Sequence, residues 1–399
     1  MIEDRKKVPG AELSRRLAAF RRGMEQRHPG WTIALLNHKV SMYYFTGTMQ
    51  DGVFAVTPEH AVLWVRRSLE RAERESEFPD IRPMKSFRSL AEVYGSRVET
   101  LYVETKTAAL DWLQLVGKHI TFDGVGSVND VLQAQRAVKS PYEIEQMKHS
   151  GRIHQKSIEE TAKTLLRPGI SEAELSIAIY AAQVRDGAHG IARFNQPLGE
   201  DVIGISSFGA SCFEKTAFDG PGGTFGTCAA VQSLGSLQNK LEPNTVVYLD
   251  LPAGYEGYHT DKSMAYYFGD LRRDKHREEL AYASACCMEL ERRIADRLRP
   301  GAVLSDIYAS LQGDIPKEFR AGFMNGGRFF GHSIGLTIDE TPVIAEKSGT
   351  AVCENMVFAV EPKIAVFGAG MVGTENTYLV TADGAVSLTG APQPMCITG

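Results

Sequence analysis

Two segments of the sequence each carry a pair of acidic residues in a pattern typical of a β-hairpin. The first segment, 246–269, has Asp250 and Asp261 on either side of a turn expected at 253–257. The two aspartates are equally far from the centre of that turn. A hairpin that closed there would set them directly opposite, with Cβ atoms about 4.5–5.5 Å apart. Because two carboxylates at that separation repel each other, the pair predicts a cation-binding site.

The second segment, 356–381, repeats the arrangement with glutamates. Its turn is expected at 368–370, with Glu361 seven residues before Gly368 and Glu375 seven residues after it. Like charges directly across a strand pair are destabilising, and a local rule broken twice is typical of a functional site. Two divalent ions would balance the four carboxylates, and such ions lie about 3.5–4 Å apart in two-metal hydrolytic sites. The sequence therefore predicts a dinuclear metal centre.

A glycine-flanked histidine, His332, lies in a third segment of interest. Residues 331–335 (GHSIG) match the G-x-S-x-G nucleophile elbow of α/β-hydrolases, which would make Ser333 a nucleophile. That fold also requires a histidine after the serine in the chain, and no histidine follows Ser333 in this sequence. We therefore reject a serine hydrolase. His332 by itself could be a core histidine or a ligand.

The elements that must position these residues fall into two predicted domains. Residues 1–125 combine an amphipathic helix at 11–27 with short β-rich runs and indicate an α/β domain. Residues 126–139 are predicted to be a linker. Residues 140–399 are predicted to be an α+β domain, in which the antiparallel hairpins carry the acidic pairs.

Capping boxes mark the first two helices of the second domain. Ser140 and Glu143 form one, with a proline at the first helical position, and Ser171 and Glu174 form the other. The helices that they begin are predicted to end near Leu166 and near residue 187. Further helices are predicted at 275–298 and from about residue 305.

The composition excludes several classes of protein. The 399 residues are 43% hydrophobic and 23% charged, which is ordinary for a globular chain and excludes intrinsic disorder. A net charge of −5 argues against a nucleic-acid partner. No apolar run reaches the roughly 18 residues of a membrane span, and the start lacks the apolar core of a secretory signal. The six scattered cysteines predict reduced thiols and a cytoplasmic location.

These segments resemble the pita-bread metallohydrolase family, which includes prolidase, Xaa-Pro aminopeptidase, methionine aminopeptidase and creatinase. The metal ligands of that family are two aspartates eleven residues apart, a histidine in a G-H-x-x-G-L run, a glutamate before proline, and a last glutamate near the C terminus. The residues here that match are Asp250, Asp261, His332 in GHSIGL, Glu361 in AVEPKI and Glu375 in GTENTYLVT. The linker signature at 137–153 and the MYYFTG run at 42–47 are also similar to the family.

The resemblance implies a fold, a cofactor and residue roles. The fold would be α+β, with a C-terminal pita-bread domain and a smaller N-terminal α/β creatinase-like domain. The cofactor would be two divalent ions, with manganese favoured and cobalt, iron or zinc accepted. Asp261 and Glu375 would bridge both ions, and Asp250 would bind one of them. His332 and Glu361 would bind the other ion, and Glu361 would also be the catalytic proton shuttle for a bridging water.

The sequence departs from the family at the histidines that hold substrate in proline-specific members. Asp339 stands seven residues after the ligand histidine, where those members have another histidine, and Arg328 stands at a second such position. A third family histidine belongs to the region 213–230, which contains none here. By their proximity to the ligands in the sequence, the candidates to replace these groups are Asp339, Glu340, Arg328 and His259.

The sequence therefore predicts a metallohydrolase that cleaves an amide-type C–N bond, with Xaa-Pro aminopeptidase or prolidase as the model. Its substrate would be a peptide or another small molecule, and the resemblance implies a homodimer. Neither a nucleic acid nor a membrane is an expected partner. Two alternatives stay open: a hydrolase of a small non-peptide compound, as in creatinase or ectoine hydrolase relatives, and a non-catalytic pita-bread module that binds proteins.

Overall fold

A computed structural model describes residues 6–194, 203–216 and 220–398. The chain forms two compact units, residues 1–136 and residues 137–399. Residues 217–219, part of the segment that lacks the third family histidine, lie outside the described residues. Within the described ranges, every helix is too short or too polar to span a membrane.

The first unit is built on one six-stranded mixed sheet with the strand order β4-β3-β2-β1-β5-β6. Its strands are β1 Ala34–Leu36, β2 Gly52–Val56, β3 Ala61–Val65, β4 Ile81–Pro83, β5 Arg97–Val103 and β6 Thr121–Ser127. Its helices are α1 Gly10–Arg27, α2 Lys39–Thr46, α3 Leu69–Glu75, α4 Arg88–Tyr94, α5 Leu110–Gly117 and α6 Asn129–Ala137. The architecture is the α/β arrangement that the alternation of short β-rich runs and helical segments predicts.

The segment 126–139, predicted to be a linker, contains regular structure. The end of β6 and the whole of α6 lie within it, and the division between the two units falls after Arg136. Val131 and Leu132 of α6 are buried, 3% and 5% exposed. These apolar side chains pack as part of a helix, which explains why the segment is ordered.

The described residues of the second unit form two larger sheets, two short hairpins and five α-helices. The first sheet has the order β19-β11-β8-β7 and the second has the order β13-β12-β14-β17-β18. The helices are α7 Pro141–Gln155, α8 Ala162–Leu165, α9 Glu172–Arg185, α10 Arg277–Arg297 and α11 Leu304–Leu311. The strands are β7 Ile205–Phe208, β8 Thr245–Asp250, β9 Ala253–Tyr255, β10 Tyr258–Thr260, β11 Ser263–Phe268, β12 Phe329–Ser333, β13 Glu340–Ala345, β14 Val357–Val360, β15 Lys363–Val366, β16 Gly370–Gly373, β17 Asn376–Thr381, β18 Gly384–Ser387 and β19 Cys396–Thr398.

Both predicted capping boxes are present. Ser140 Oγ accepts a hydrogen bond from Glu143 N at 3.2 Å, and the Glu143 carboxylate accepts one from Ser140 N at 2.9 Å. Ser171 and Glu174 make the same reciprocal pair. Each box satisfies two backbone donors at a helix start. The first helix continues from α7 through a π-helical segment at 156–161 into α8.

The first acidic hairpin closes on a different turn from the one predicted. Glu256 and Gly257 form a two-residue turn in which both have positive φ, 49° and 87°, as in the tight turns that suit twisted hairpins. This turn pairs Asp250 with Ser263 rather than with Asp261. The prediction that the two aspartates are directly opposite is therefore wrong by two residues, and they are neighbours on the diagonal.

The second acidic hairpin has the predicted register. Val360 pairs with Asn376 on one side of the glutamates, and Lys363 pairs with Gly373 on the other. The same register across both pairs places Glu361 opposite Glu375. The strands that carry them are anchored by a core of buried side chains from α10, β14 and β16, among them Leu280, Ile294, Phe358 and Val372.

Candidate metal centre

Three of the predicted ligands converge on one point of the second unit. One ligand atom from each of Asp261, His332 and Glu375 lies within 4.8 Å of the other two. Asp261 follows β10, His332 lies in β12, and Glu375 immediately precedes β17. Their exposed fractions are 9%, 7% and 1%. The fold thus brings ligand-type side chains from distant parts of the chain into one buried cluster.

His332 is oriented so that one ring nitrogen faces the acidic cluster. Its Nδ1 lies 3.0 Å from the Ser333 carbonyl oxygen, and since a carbonyl can only accept, Nδ1 is the donor. Its Nε2 lies 3.2 Å from Asp339 Oδ1 and 3.3 Å from Glu361 Oε1. Burial acts to lower the pKa of the imidazole, but the Asp339 and Glu361 carboxylates raise it well above its usual value. A hydrogen bond that fixes Nδ1 and leaves Nε2 toward the site is typical of a metal-ligating histidine.

Asp261 and Glu375 are held through their backbones. The Asp261 amide donates to Thr377 Oγ1 at 2.8 Å, and Thr377 Oγ1 donates back to the Asp261 carbonyl at 2.9 Å. The Glu375 amide donates to the Ser263 carbonyl at 3.1 Å. One carboxylate oxygen of Glu375, Oε1, is buried and has no hydrogen-bond partner among the described residues. Because a buried carboxylate oxygen without a partner is costly, this atom is a candidate cation ligand.

A lysine lies between the two remaining predicted ligands, Asp250 and Glu361, and also contacts Glu375. Lys363 Nζ is 3.0 Å from Asp250 Oδ2, 2.8 Å from Glu361 Oε2 and 2.9 Å from Glu375 Oε2. The Lys363 side chain is fully buried. Burial acts to lower its pKa, but the three carboxylates raise that pKa well above its usual value. The cluster therefore contains a positive charge of its own.

Lys363 was not among the predicted site residues, although its spacing from Glu361 indicates that it belongs to the site. Lys363 lies two residues after Glu361 in the AVEPKI run, and side chains two residues apart in a strand point to the same face. The same rule applies to Tyr248, two residues before Asp250. The Tyr248 hydroxyl donates to Asp250 Oδ2 at 2.8 Å, and Lys363 Nζ lies 5.9 Å from the centre of its ring.

The remaining charges show that the cluster favours further positive charge. Burial and the neighbouring Asp250 carboxylate raise the pKa of Asp261 to about 8. Burial and the Asp261 carboxylate raise the pKa of Glu375 well above its usual range. Burial acts in the same direction on Glu361, but the Lys363 ammonium and His332 hold its pKa down to about 2. Asp261 and Glu375, on the side toward His332, are the carboxylates that a bound cation would stabilise most.

A pocket opens onto this cluster. Its wall includes four carboxylates and one imidazole, from Asp250, Asp261, Asp339, Glu361 and His332. The other residues that line it are Phe194, Gly204, Ile205, Gly220, Pro221, Ser233, Pro252, Phe329 and Ile338. A mostly apolar pocket with a few converging polar groups is typical of a small-molecule site.

Of the four candidates to replace the family histidines, the structure brings one into the cavity wall, namely Asp339. Arg328 is exposed. Glu340 is buried, accepts from the Thr337 amide at 3.1 Å and lies 3.7 Å from Lys139 Nζ. His259 is buried, and its Nδ1 lies 3.0 Å from the Gly335 carbonyl oxygen.

Glu340 and His259 therefore have structural partners instead of facing the cavity. Burial lowers the pKa of His259 to about 4, so its imidazole is neutral at ordinary pH. Glu340 begins β13, one residue after Asp339, and its contacts tie that strand to the preceding loop. Among the described residues of the cavity wall, Asp339 alone of the four candidates is present.

The donors present fit a divalent ion. Asp261, His332 and Glu375 supply carboxylate oxygens and an imidazole nitrogen, a combination suited to manganese, iron, cobalt or zinc. Glu375 has an unpartnered buried oxygen, Oε1, and His332 Nε2 lies 3.3 Å from Glu361 Oε1. Near Lys363, one oxygen each of Asp250 and Glu361 accepts a hydrogen bond from the ammonium instead.

Family models identify the protein family to which the chain belongs. A family model described as "Metallopeptidase family M24" matches residues 145–382, which is more than half of the chain. The chain belongs to metallopeptidase family M24. A second model, "Creatinase/Prolidase N-terminal domain", matches residues 16–138. The M24 protein is thus a metallohydrolase of the pita-bread type, as the sequence predicts, and its family implies divalent metal ions.

Individual relatives agree with this membership. The M24 chain is 26% identical over 355 residues to an Xaa-Pro dipeptidase of Pyrococcus furiosus, covering 88% of this chain and 91% of the relative. Its fold is similar to an Xaa-Pro dipeptidase from Bacillus anthracis, with a TM-score of 0.80, 21% identity and coverage of 96% and 99%. It is also similar to the prolidase from Pyrococcus horikoshii OT3, with a TM-score of 0.79, 20% identity and coverage of 94% and 98%. The predicted α+β fold, a pita-bread domain with a creatinase-like N-terminal domain, is confirmed.

Proposed function

We propose that this M24 protein hydrolyses the amide bond before proline in short peptides, with Xaa-Pro dipeptides as its preferred class. The observation that carries the proposal is the ligand cluster of Asp261, His332 and Glu375 at a pocket whose wall includes Asp261, His332 and Glu361. Relatives that cover most of this chain are named Xaa-Pro dipeptidases, which supports the choice of substrate.

The metal ligands are assigned from the side chains in the cluster. Asp261, His332 and Glu375 would hold the divalent ion, with Glu361 Oε1 beside His332 Nε2 at 3.3 Å. Asp250 belongs to the predicted set as well, and it accepts from both Tyr248 and Lys363. When bound, a divalent ion in such a site lowers the pKa of a water molecule and polarises a carbonyl oxygen.

Glu361 is proposed as the catalytic proton carrier. Lys363 Nζ donates a 2.8 Å hydrogen bond to Glu361 Oε2 and stabilises the ionised carboxylate, whose other oxygen can accept a proton. In hydrolysis the attacking water gives its proton to Glu361 as its oxygen bonds to the carbonyl carbon. The C–N bond then breaks, its electron pair stays on the proline nitrogen, and Glu361 returns the proton to that nitrogen.

Asp339 is proposed to hold the free amino group of the substrate. Its carboxylate lines the cavity and its side chain is 34% exposed, so one face meets the substrate space while Oδ1 lies 3.2 Å from His332 Nε2. A dipeptide carries an α-ammonium close to its scissile bond. A carboxylate placed where proline-specific members have a histidine would bind that ammonium by a charge-assisted hydrogen bond.

Manganese is the ion that we propose, because two carboxylates and one imidazole form an oxygen-rich set. The cysteines of the chain are free, which supports a cytoplasmic location where thiols stay reduced. A homodimer is proposed on the family resemblance.

The test is a comparison of peptides with the manganese-loaded protein. We expect Xaa-Pro dipeptides to be hydrolysed, Xaa-Ala dipeptides to be hydrolysed at least tenfold more slowly, and N-acetylated Xaa-Pro to be a poor substrate. Chelated protein is the control and should be inactive. Turnover of small non-peptide amides with none of any peptide would contradict the proposed substrate, and the absence of bound metal after reconstitution would contradict the proposed mechanism.

A further inference from the structure

Lys363 occupies a place in the cluster that a metal ion would need. Its three N–H donors meet three carboxylate oxygens, Asp250 Oδ2, Glu361 Oε2 and Glu375 Oε2, at 2.8–3.0 Å. An ammonium has three donors and no acceptor, so the group is fully satisfied. A divalent ion on the same three oxygens would lie about 2.0–2.2 Å from each of them. The ammonium and such an ion therefore exclude each other.

The surroundings of Lys363 are shaped to hold the side chain there. Its stem lies over Gly373, its partner in the β15–β16 hairpin, where an added Cβ would come within 2.7 Å of Lys363 Cγ. The Tyr248 ring lies 5.9 Å from Nζ and its hydroxyl holds Asp250. The added Cβ would also lie 2.8 Å from the Pro362 carbonyl oxygen, so the close approach of the two strands requires glycine here, and the Lys363 side chain packed against it is fully buried.

The opposite side of the cluster remains suited to an ion. Glu375 keeps one carboxylate oxygen available, since Oε2 accepts from Lys363 while Oε1 has no hydrogen-bond partner among the described residues. Asp261 and His332 complete the group of ligand atoms on that side. The Lys363 ammonium already supplies a positive charge to the carboxylates of Asp250 and Glu361.

We propose that Lys363 replaces one of the two ions, so that this M24 protein has a mononuclear centre in which Asp261, His332 and Glu375 bind a single divalent ion. The inference rests on the proposed metal-dependent function and narrows it. It changes the sequence-based prediction of two ions, because that prediction balanced four carboxylates with metal charge alone. It also assigns Asp250 as a partner of Lys363 instead of a metal ligand.

The experiment counts ions in the full-length chain. The purified protein is reconstituted with Mn²⁺, passed through a desalting column and analysed for manganese and protein. We expect one equivalent per chain in the wild type and two equivalents in Lys363→Ala, which removes the charge and opens the space. The control is Lys240→Ala, an exposed lysine of the same unit that pairs with Glu174 at 3.2 Å and should leave the count at one.

Electron paramagnetic resonance of the same samples gives a second readout that does not depend on activity. The wild type should show the spectrum of isolated Mn²⁺, and Lys363→Ala should show the exchange-coupled spectrum of a pair. Two equivalents in the wild type would overturn the inference and leave the proposed function standing, and so would one equivalent in a folded Lys363→Ala. No bound manganese in the wild type would overturn the proposed function itself. The wild-type count decides even if the variant does not fold.

Discussion

Lys363 donates a 2.8 Å hydrogen bond from Nζ to Oε2 of Glu361, the residue two positions before it in the chain. The ammonium stabilises the ionised form of Glu361. The other oxygen of Glu361 lies 3.3 Å from His332 Nε2. Glu361 therefore connects the part of the cluster that has its own cation with the part that is suited to a metal ion.

Glu361→Gln removes the proposed proton carrier and keeps the size of the side chain. We expect kcat on an Xaa-Pro dipeptide to fall by about 10²–10⁴-fold, the usual contribution of general acid–base catalysis. Manganese content should change little, because Asp261, His332 and Glu375 remain. The measurement is steady-state kinetics together with metal analysis, and a variant with wild-type kcat would refute the assigned role.

Asp261→Ala should abolish activity and lower the manganese content together. Asp261 is a member of the three-residue ligand group, so its removal takes one donor from the site. Asp130→Ala is a suitable control because that side chain is 79% exposed and lies in the first unit. Full activity of Asp261→Ala, with an unchanged metal count, would show that the ligand assignment is mistaken.

Asp339→Asn tests the proposed contact with the substrate amino group. Losing one charge-assisted hydrogen bond should raise KM for a dipeptide by about 10- to 150-fold, in line with about 1.5–3 kcal/mol for such bonds. The variant should also discriminate less between free and N-acetylated substrates. Manganese content is the control measurement, because a fall in metal content with no effect on KM would mark Asp339 as a ligand instead.

Chelation should affect the wild type and Lys363→Ala to different extents. Each ion that binds only the folded state adds to stability by mass action. We expect removal of manganese with a chelator to lower the melting temperature of Lys363→Ala roughly twice as much as that of the wild type. Equal shifts in the two proteins would argue that Lys363 does not take the place of an ion.

Glu104 should make the stability of the first unit depend on pH. Burial raises the pKa of this carboxyl from 4.5 to about 7, although Ser41 and the His38 amide donate hydrogen bonds to it. Between pH 4.5 and 7 the folded state therefore binds a proton that the unfolded state has lost. This contribution to the free energy of unfolding is present below pH 4.5 and decreases as the pH rises to 7, by at most about 3 kcal/mol.

The Glu104→Gln variant removes that titration and should flatten this part of the pH profile. Urea unfolding can be followed by tryptophan fluorescence, which reports on the first unit because all three tryptophans lie there: Trp31, Trp64 and Trp112. Wild type and variant are compared at each pH, so that His38 and other titrating groups cancel. Parallel profiles would mean that Glu104 is not protonated in the folded state at these pH values.

The acidic residues of the site could be predicted because they break a simple rule about charges in strand pairs. The register of the second hairpin followed from the symmetric spacing of Glu361 and Glu375 about its turn. The register of the first hairpin could not be predicted in this way. Its two-residue turn requires a positive φ at Glu256, which is uncommon for a glutamate. A shift of two residues moved Asp250 from Asp261 to Ser263.

Other parts of the site could not be predicted from ligand spacing. The spacing of the carboxylates indicates that a cation balances them, but it does not distinguish a metal ion from the Lys363 ammonium. Asp339 and Glu340 are adjacent in the sequence, and only the path of the chain after β12 shows that the first lines the cavity while the second bonds Thr337 and Lys139. Outside the site, the short strand β4 of the first unit has three residues, too few for a periodic pattern.

The most direct test of the metal centre is anomalous X-ray scattering from crystals grown with Mn²⁺. We expect one manganese peak per chain, within bonding distance of Asp261, His332 and Glu375, with Lys363 Nζ still on Asp250, Glu361 and Glu375. Two peaks with Lys363 turned away, or no peak beside His332, would refute the assignment of a single ion.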